Sequence, residues 1–413
     1  MKFKDTKIGT IPSHWEVQPI KEITEIVTDY VANGSFASLA ENVTYKDEED
    51  VAVLIRLVDY NNDFQGKFVF IDEHAYQFLG KSKLFGGEII ISNVGANVGT
   101  VFRCPQLAYK MSLAPNSIMV KFKGNDDFYF HWLRGFNGQQ MLKSIVTGSA
   151  QPKFNKTNFK EMLAPVPPIR EQNKIASILN TIDEKIEINK KINENLEQQA
   201  QSYFQELFID NANQEWTTGT INDLGTVVGG STPSKAKPEY YTETGIAWIT
   251  PKDLSINKSK FVSHGENDIT ELGLKNSSAV IMPEGTVLFS SRAPIGYIAI
   301  SAGEVTTNQG FKSVVPKPEI GTPFVYFFLK NTLPVIEGMA SGSTFKEVSG
   351  STMKNVPAVI PDAETLAKFS DFCAPIFAQQ RILEEQNQSL VTLRDSLLPK
   401  LMSGEIDVSA VQC

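Results

Sequence analysis

Two stretches of the sequence combine small residues with side chains able to form paired hydrogen bonds. In the first half, Ser92-Asn93-Val94-Gly95-Ala96-Asn97-Val98-Gly99 is rich in Gly and Asn. In the second, Ser290-Ser291-Arg292-Ala293-Pro294-Ile295-Gly296 carries an Arg between hydroxyls and a proline. Small residues let a backbone approach a ligand closely. Arg pairs with guanine and Asn or Gln with adenine, so Arg292 and Asn93 have the chemistry to read base edges. Asn308-Gln309-Gly310 is a second polar turn of that kind. A Gly-Ser loop in each half, Thr147-Gly148-Ser149-Ala150-Gln151-Pro152-Lys153-Phe154-Asn155-Lys156 and Ser341-Gly342-Ser343-Thr344-Phe345-Lys346, adds hydroxyls and Lys, which suit phosphate and base contact. The candidate contacts are Asn93, Asn97, Ser149, Gln151, Lys153 and Lys156 in the first half. In the second they are Ser290, Ser291, Arg292, Asn308, Gln309, Ser343, Thr344 and Lys346. Each stretch taken singly also fits an ordinary turn, and that alternative stays open here.

Chemistry of other kinds finds no residues to carry it. No GxxxxGK[ST] phosphate loop is present, and Gly229-Gly230-Ser231-Thr232-Pro233 lacks its spacing. GxSxG and HExxH are missing, as is the Asn/Asp-Pro-Pro-Tyr/Phe motif of amino-methyltransferases. His14, His74, His131 and His264 fall in no repeated position, and no Cys or His pair has zinc-ligand spacing. Asp183-Glu184-Lys185 lacks the preceding Pro-Asp of a nuclease site and reads as a solvated helix face. The expectation is a chain without an active site, metal or cofactor of its own.

The elements that must position the loops come as a tandem repeat, the first pattern to seek in a long chain. At an offset of 194 positions the halves align without a gap from about residue 112 to 207: Val120 falls on Val314, Phe130 on Phe324, Asn137 on Asn331, Pro167 on Pro361 and Leu207 on Leu401. Upstream the register drifts by a few residues, as divergent loops would make it. Each half has a strand-rich region followed by one long helix. Strands are predicted over 51–58, 88–92 and 117–122, with counterparts near 246–250, 286–290 and 311–315.

Residues 170–207 contain no Pro or Gly, and apolar residues recur at steps of three and four through Ile175, Leu179, Ile182, Ile186, Leu196, Ala200, Tyr203 and Leu207. Asn189 and Asn193 occupy seam positions. The second stripe runs through Leu366, Phe369, Cys373, Ile376, Leu383, Asn387, Leu390, Leu397 and Leu401, with Gln380 and Arg394 interrupting it. Pro375 predicts a kink or restart. Two matched stripes can bury each other as an antiparallel coiled-coil spacer, each helix spanning roughly 57 Å at 1.5 Å per residue. A buried Asn such as Asn193 or Asn387 would fix its register. Packing of each helix on its own domain alone is the competing arrangement. The predicted fold class is α+β: two mixed α/β domains in tandem at 1–165 and 213–361, each followed by a helix, at 166–212 and 362–413.

The net charge of −8 argues at first sight against a nucleic-acid partner. The two helical segments, however, carry seven of those eight charges, which leaves the mixed domains near neutral and free to present a local basic face. No apolar run approaches the 18 or so residues of a membrane span, and no apolar h-region follows the first residues. Cys104, Cys373 and Cys413 are scattered and odd in number, which fits a reducing cytoplasm.

A duplicated mixed domain with a long helix after each copy resembles the specificity subunit of type I restriction-modification systems. Ile11-Pro12-Ser13-His14-Trp15, Pro167-Pro168-Ile169-Arg170-Glu171-Gln172, Ile182-Asp183-Glu184-Lys185-Ile186 and Ser291-Arg292-Ala293-Pro294-Ile295-Gly296 look like that family in detail. So do Asn308-Gln309-Gly310-Phe311 and Leu397-Leu398-Pro399-Lys400-Leu401-Met402-Ser403-Gly404-Glu405-Ile406. The first domain's Gly-Asn loop departs from the pattern. The resemblance implies two target recognition domains, each reading half of an asymmetric, interrupted site on double-stranded DNA. The helices would set the gap and seat two modification subunits that use S-adenosylmethionine to methylate adenine N6. Two restriction subunits would add ATP- and Mg2+-dependent translocation and cleavage, as in bacterial defence. A specificity chain of a methylation-only system, or a coiled-coil scaffold for protein or sugar ligands, would share many of these features.

Overall fold

The structure is a computed structural model, and it describes residues 2–342 and 346–409. The chain forms two units. One takes the sequence up to Lys185 and again from Leu390; the other takes Ile186–Ser389.

In the first unit Thr24–Asp29, Ser117–Phe122, Ile89–Ser92 and Val101–Arg103 lie side by side in that order, each pair antiparallel. Ile89, Ile90 and Ile91 are all apolar because both faces of this sheet are covered. Ile89 and Ile91 pack with Ile118, Val120 and residues Phe128, Trp132 and Leu133 of the helix Asp126–Arg134. Ile90 points the other way, toward Met119, Phe102 and Met111. A second sheet, in the order Val69–Ile71, Ala52–Ile55, Lys110–Leu113, Lys83–Leu84, has a parallel central pair. The strand predicted over 51–58 stops at Ile55. The Asp59 carboxylate accepts the backbone N–H of Arg56 at 2.9 Å and its guanidinium at 2.6 Å, which turns the chain into the short helix Leu57–Asn61.

The second unit repeats this plan. Gly225–Gly229, Lys312–Pro316, Val287–Ser291 and Ile295–Ser301 form the corresponding antiparallel sheet, extended by Phe261–Val262 in parallel. Val287, Phe289 and Val314 pack with Phe324 and Phe327 of the helix Thr322–Met339, while Leu288 joins Phe311 and Ile249 on the opposite face. The ribbon of Glu16–Pro19 with Leu163–Val166 recurs as Thr217–Thr220 with Pro357–Ile360. The sequence repeat is therefore a repeat of topology, and the fold is α+β.

The first long helix spans Ile169–Gln205 and the second Ala363–Met402. Of the kink or restart expected at Pro375, the restart does not occur: the second helix continues through it as one element. Pro375 is exposed, so its ring meets solvent, and it removes only the one backbone bond toward the Asp371 carbonyl. Each unit pairs segments of the two helices antiparallel. In the first, Arg394 Nη1 meets Asp183 Oδ1 at 3.0 Å, and beyond the end of the second helix the Ser409 carbonyl accepts Lys174 Nζ at 2.7 Å. In the second, Asn189 Nδ2 donates to Asn387 Oδ1 at 2.9 Å, Gln380 Nε2 donates to the Asn193 carbonyl at 3.1 Å, and Tyr203 lies 4.5 Å from the Phe372 ring. Of the seam residues, Ile175, Leu179, Ile182, Ile186, Phe369, Ile376 and Leu383 are buried; Asn193, Leu196, Asn387, Leu390 and Leu397 are half-buried. No helix among the described residues is long and apolar enough to cross a membrane.

Candidate nucleic-acid interface

In the first unit the loop after Ile89–Ser92 is laced to the Gly-Ser loop by backbone bonds. The Gly95 N–H donates to the Pro152 carbonyl at 2.9 Å and the Phe154 N–H to the Asn93 carbonyl at 3.0 Å. Thr147 and Lys153 exchange two bonds, each at 2.8 Å. Gly148 turns this hairpin at φ 87°, where a Cβ would stand 2.8 Å from the Gln151 carbonyl oxygen. Only glycine accepts both conditions without strain.

This frame sorts the candidates. Asn97, Ser149, Gln151 and Lys153 are exposed on it. Asn93 turns inward: its Nδ2 donates to the Phe154 carbonyl at 3.0 Å, and its buried Oδ1 has no hydrogen-bond partner among the described residues. Lys156 is held by Asp29 at 2.9 Å beside the short helix Lys156–Glu161, which Asn155 caps.

The second unit builds the same frame from other residues. The Val348 N–H donates to the Ser291 carbonyl at 2.9 Å, and Ser341 and Glu347 exchange bonds at 3.1 and 2.8 Å. Arg292 bridges Glu347 as Val94 bridges Lys153. Ser290 and Ser291 end the buried strand Val287–Ser291 and are themselves buried. The Ser290 hydroxyl donates to the Pro294 carbonyl at 2.9 Å and accepts the Tyr297 N–H at 2.8 Å, while the Ser291 hydroxyl donates to the Gly310 carbonyl at 3.1 Å. Both hydroxyls are thus committed to shaping the loop from beneath. Asn308 accepts the Gly310 N–H at 2.8 Å, and the exposed Gln309 accepts from the Thr232 hydroxyl. Arg292 and Lys346 reach solvent. Ser343 and Thr344 lie outside the described residues.

Two charged side chains on this frame were not singled out in the sequence. Glu347 stands 3.7 Å from Arg292 and also 3.7 Å from Lys312. Burial lowers the Lys312 ammonium pKa, and Glu347 works against that shift. A carboxylate is a poor guess for a DNA face because phosphates repel it; the alignment of Glu347 with Lys153 at the same offset of 194 was the available signal. Among the described residues no group of three His, Cys, Asp or Glu could hold a metal ion. The arrangement can present hydrogen-bonding side chains to a polar ligand.

A domain family described as the type I restriction modification DNA specificity domain matches residues 12–198 and again 213–391. The type I restriction enzyme MjaIX specificity subunit of Methanocaldococcus jannaschii is 39% identical over 191 residues, a stretch of 44% of this chain and 44% of that protein. The putative type I restriction enzyme MjaX specificity subunit of the same organism is 23% identical, over 98% of this chain and 97% of its own. In fold, the chain is similar to the S subunit of a type I restriction-modification system from M. genitalium, with a TM-score of 0.56 at 17% identity over 95% of this chain and 96% of the other.

Proposed function

Because the chain belongs to the type I restriction modification DNA specificity family, with a match in each half, we propose that it reads an asymmetric, interrupted DNA sequence, one part through each mixed domain. The recognition domains are residues 1–165 and 213–361, and the spacer segments are 166–212 and 362–413. The exposed residues of the two frames, among them Asn97, Ser149, Gln151 and Lys153 in one and Arg292, Gln309 and Lys346 in the other, meet the bases and phosphates. The paired helices set the unspecified gap and seat two modification subunits. Those partners bind S-adenosylmethionine and methylate adenine N6 on a flipped-out base; two restriction subunits contribute ATP- and Mg2+-dependent translocation and cleavage. This chain contributes recognition and no catalysis.

The observation that most supports this reading is the twin frame. The Asn93–Phe154 and Thr147–Lys153 backbone bonds recur as Ser291–Val348 and Ser341–Glu347, yet the exposed side chains differ, with Lys153 in one place and Glu347 in the other. Two domains of one topology that present different donors and acceptors suit two different half-sites. The test is binding by the purified complex with its modification subunits to duplexes carrying both half-sites, either one, or neither. Each half-site alone should bind far more weakly than the pair, since specific sites are typically held ~10³-fold or more tighter than random DNA. Equal binding to all four duplexes would end the proposal.

A further inference from the structure

Glu347 is an acid on a surface assigned to DNA, and the geometry gives it a use. We infer that Arg292 and Glu347 together read one G·C pair in the half-site recognised by the second domain. The inference rests on the DNA-reading function proposed above.

Arg292 and Glu347 face each other across an antiparallel bridge in the frame. Their side chains are 39% and 40% exposed, so both tips can reach a ligand. Their charged atoms lie 3.7 Å apart, beyond a hydrogen bond, so neither consumes the other's bonding capacity. In the major groove, guanine offers the O6 and N7 acceptors, which an Arg fork matches, and its partner cytosine offers the N4 amino donor, which a carboxylate accepts. O6 and N4 of one pair are joined by a Watson–Crick bond, so they lie about 3 Å apart, the length of such a bond. A guanidinium and a carboxylate held side by side therefore match the two halves of one base pair.

Charge explains how an acid is tolerated there. Lys312 stands 3.7 Å from Glu347, with its side chain only 15% exposed. Arg292, Glu347 and Lys312 sum to one positive charge, so the group as a whole does not repel phosphate. The twin frame sharpens the point: Val94 and Lys153 occupy the corresponding places in the first unit, which can neither grip guanine with a fork nor accept from an amino group. The first domain should lack this reader.

The experiment uses the complex with its modification subunits and duplexes that vary one base pair at a time. Arg292→Ala and Glu347→Ala should relax the same G·C position of the second half-site, with discrimination falling roughly tenfold to a hundredfold. The frame is held by backbone bonds, so Glu347→Ala leaves it closed, and Glu347→Gln should fall between it and the parent. Atom-level swaps separate the roles. A 7-deazaguanine should weaken the parent complex but not Arg292→Ala; a cytosine analogue lacking the 4-amino group should weaken the parent but not Glu347→Ala. If the parent shows a sequence preference while the two variants relax different positions, or none, the pair is not a reader. Equal loss with the amino-deleted analogue in parent and Glu347→Ala would also overturn it, since Glu347 would then act only on Arg292. If the parent shows no sequence preference at all, the DNA-reading function itself falls.

Discussion

At the scale of the residue, neighbouring polar groups on one loop have opposite duties. The Ser290 hydroxyl is buried and satisfies the Tyr297 N–H, whereas Arg292, two residues on, reaches solvent. Ser290→Ala should leave a buried donor unpaired and lower unfolding stability by about 1–3 kcal/mol, measured by urea titration, without altering base preference. Arg292→Ala should leave stability within about 0.5 kcal/mol and relax recognition of the second half-site alone, measured as binding to duplexes mutated in either half. An equal loss across both half-sites would remove Arg292 from base reading. Gly148→Ala should do the converse in the first domain: the new Cβ meets the Gln151 carbonyl at 2.8 Å, the hairpin opens, and only first-half-site binding weakens. Residue type and spacing made these loops legible as candidates. They did not reveal which hydroxyls the strand would bury, because Ser290 and Ser291 end a strand whose faces are both covered. Nor did they reveal Glu347, whose charge argues against a DNA face until Arg292 and Lys312 are seen beside it.

At the scale of the element, the long helices are held to their neighbours by polar groups as well as by apolar stripes. Asn189 is buried and donates to Asn387. A polar seam pair of this kind specifies register at some expense of stability. Asn189→Leu with Asn387→Leu should raise the melting temperature while permitting sliding, read as methylation at sites of more than one gap length. In the second unit, the buried Lys260 ammonium contacts Glu197 and donates to Gln380 at 2.7 Å. Lys330 reaches the same Glu197 at 2.5 Å. Glu384 accepts the backbone N–H groups of Lys260 and Phe261 at 2.8 and 3.0 Å. Removing one partner from a buried charge cluster leaves the others uncompensated, so Lys260→Ala should destabilise the unit by about 3 kcal/mol in a urea titration. A change below about 0.5 kcal/mol would show that the cluster does not stabilise the unit. The helices and their stripes were legible because period and length agree over many turns. The polar cluster was not, since Lys260 lies in a loop far from both helices in sequence. The restart allowed for at Pro375 is absent, since an exposed proline can leave a long, well-packed helix continuous.

At the scale of the whole molecule, the duplication organises everything else. Equivalent sheets, ribbons and loop frames recur at matching places in the two halves. The net charge of −8 is concentrated in the helical segments, which fits protein partners along them and near-neutral recognition domains. A matched insertion of one helical turn beside Asn189 and Asn387 should lengthen the unspecified gap by about one or two base pairs, from a 1.5 Å rise per residue against 3.4 Å per base pair, while both half-sites stay unchanged. Altered half-sites with an unchanged gap would contradict the spacer role. The repeat and the α+β plan could be read from the sequence because they are spread over hundreds of residues, whereas the bases recognised depend on a few loop side chains whose directions only the fold supplies. On the proposed function, this chain alone decides where its partners act. The most direct measurement is single-molecule methylation sequencing of DNA from cells expressing the chain with its modification partner, beside cells that lack the chain. N6-methyladenine confined to one interrupted two-part motif, and only when the chain is present, is the expected result. Methylation without a motif, or the same motif in cells lacking the chain, despite an assembled complex and an active partner, would contradict it.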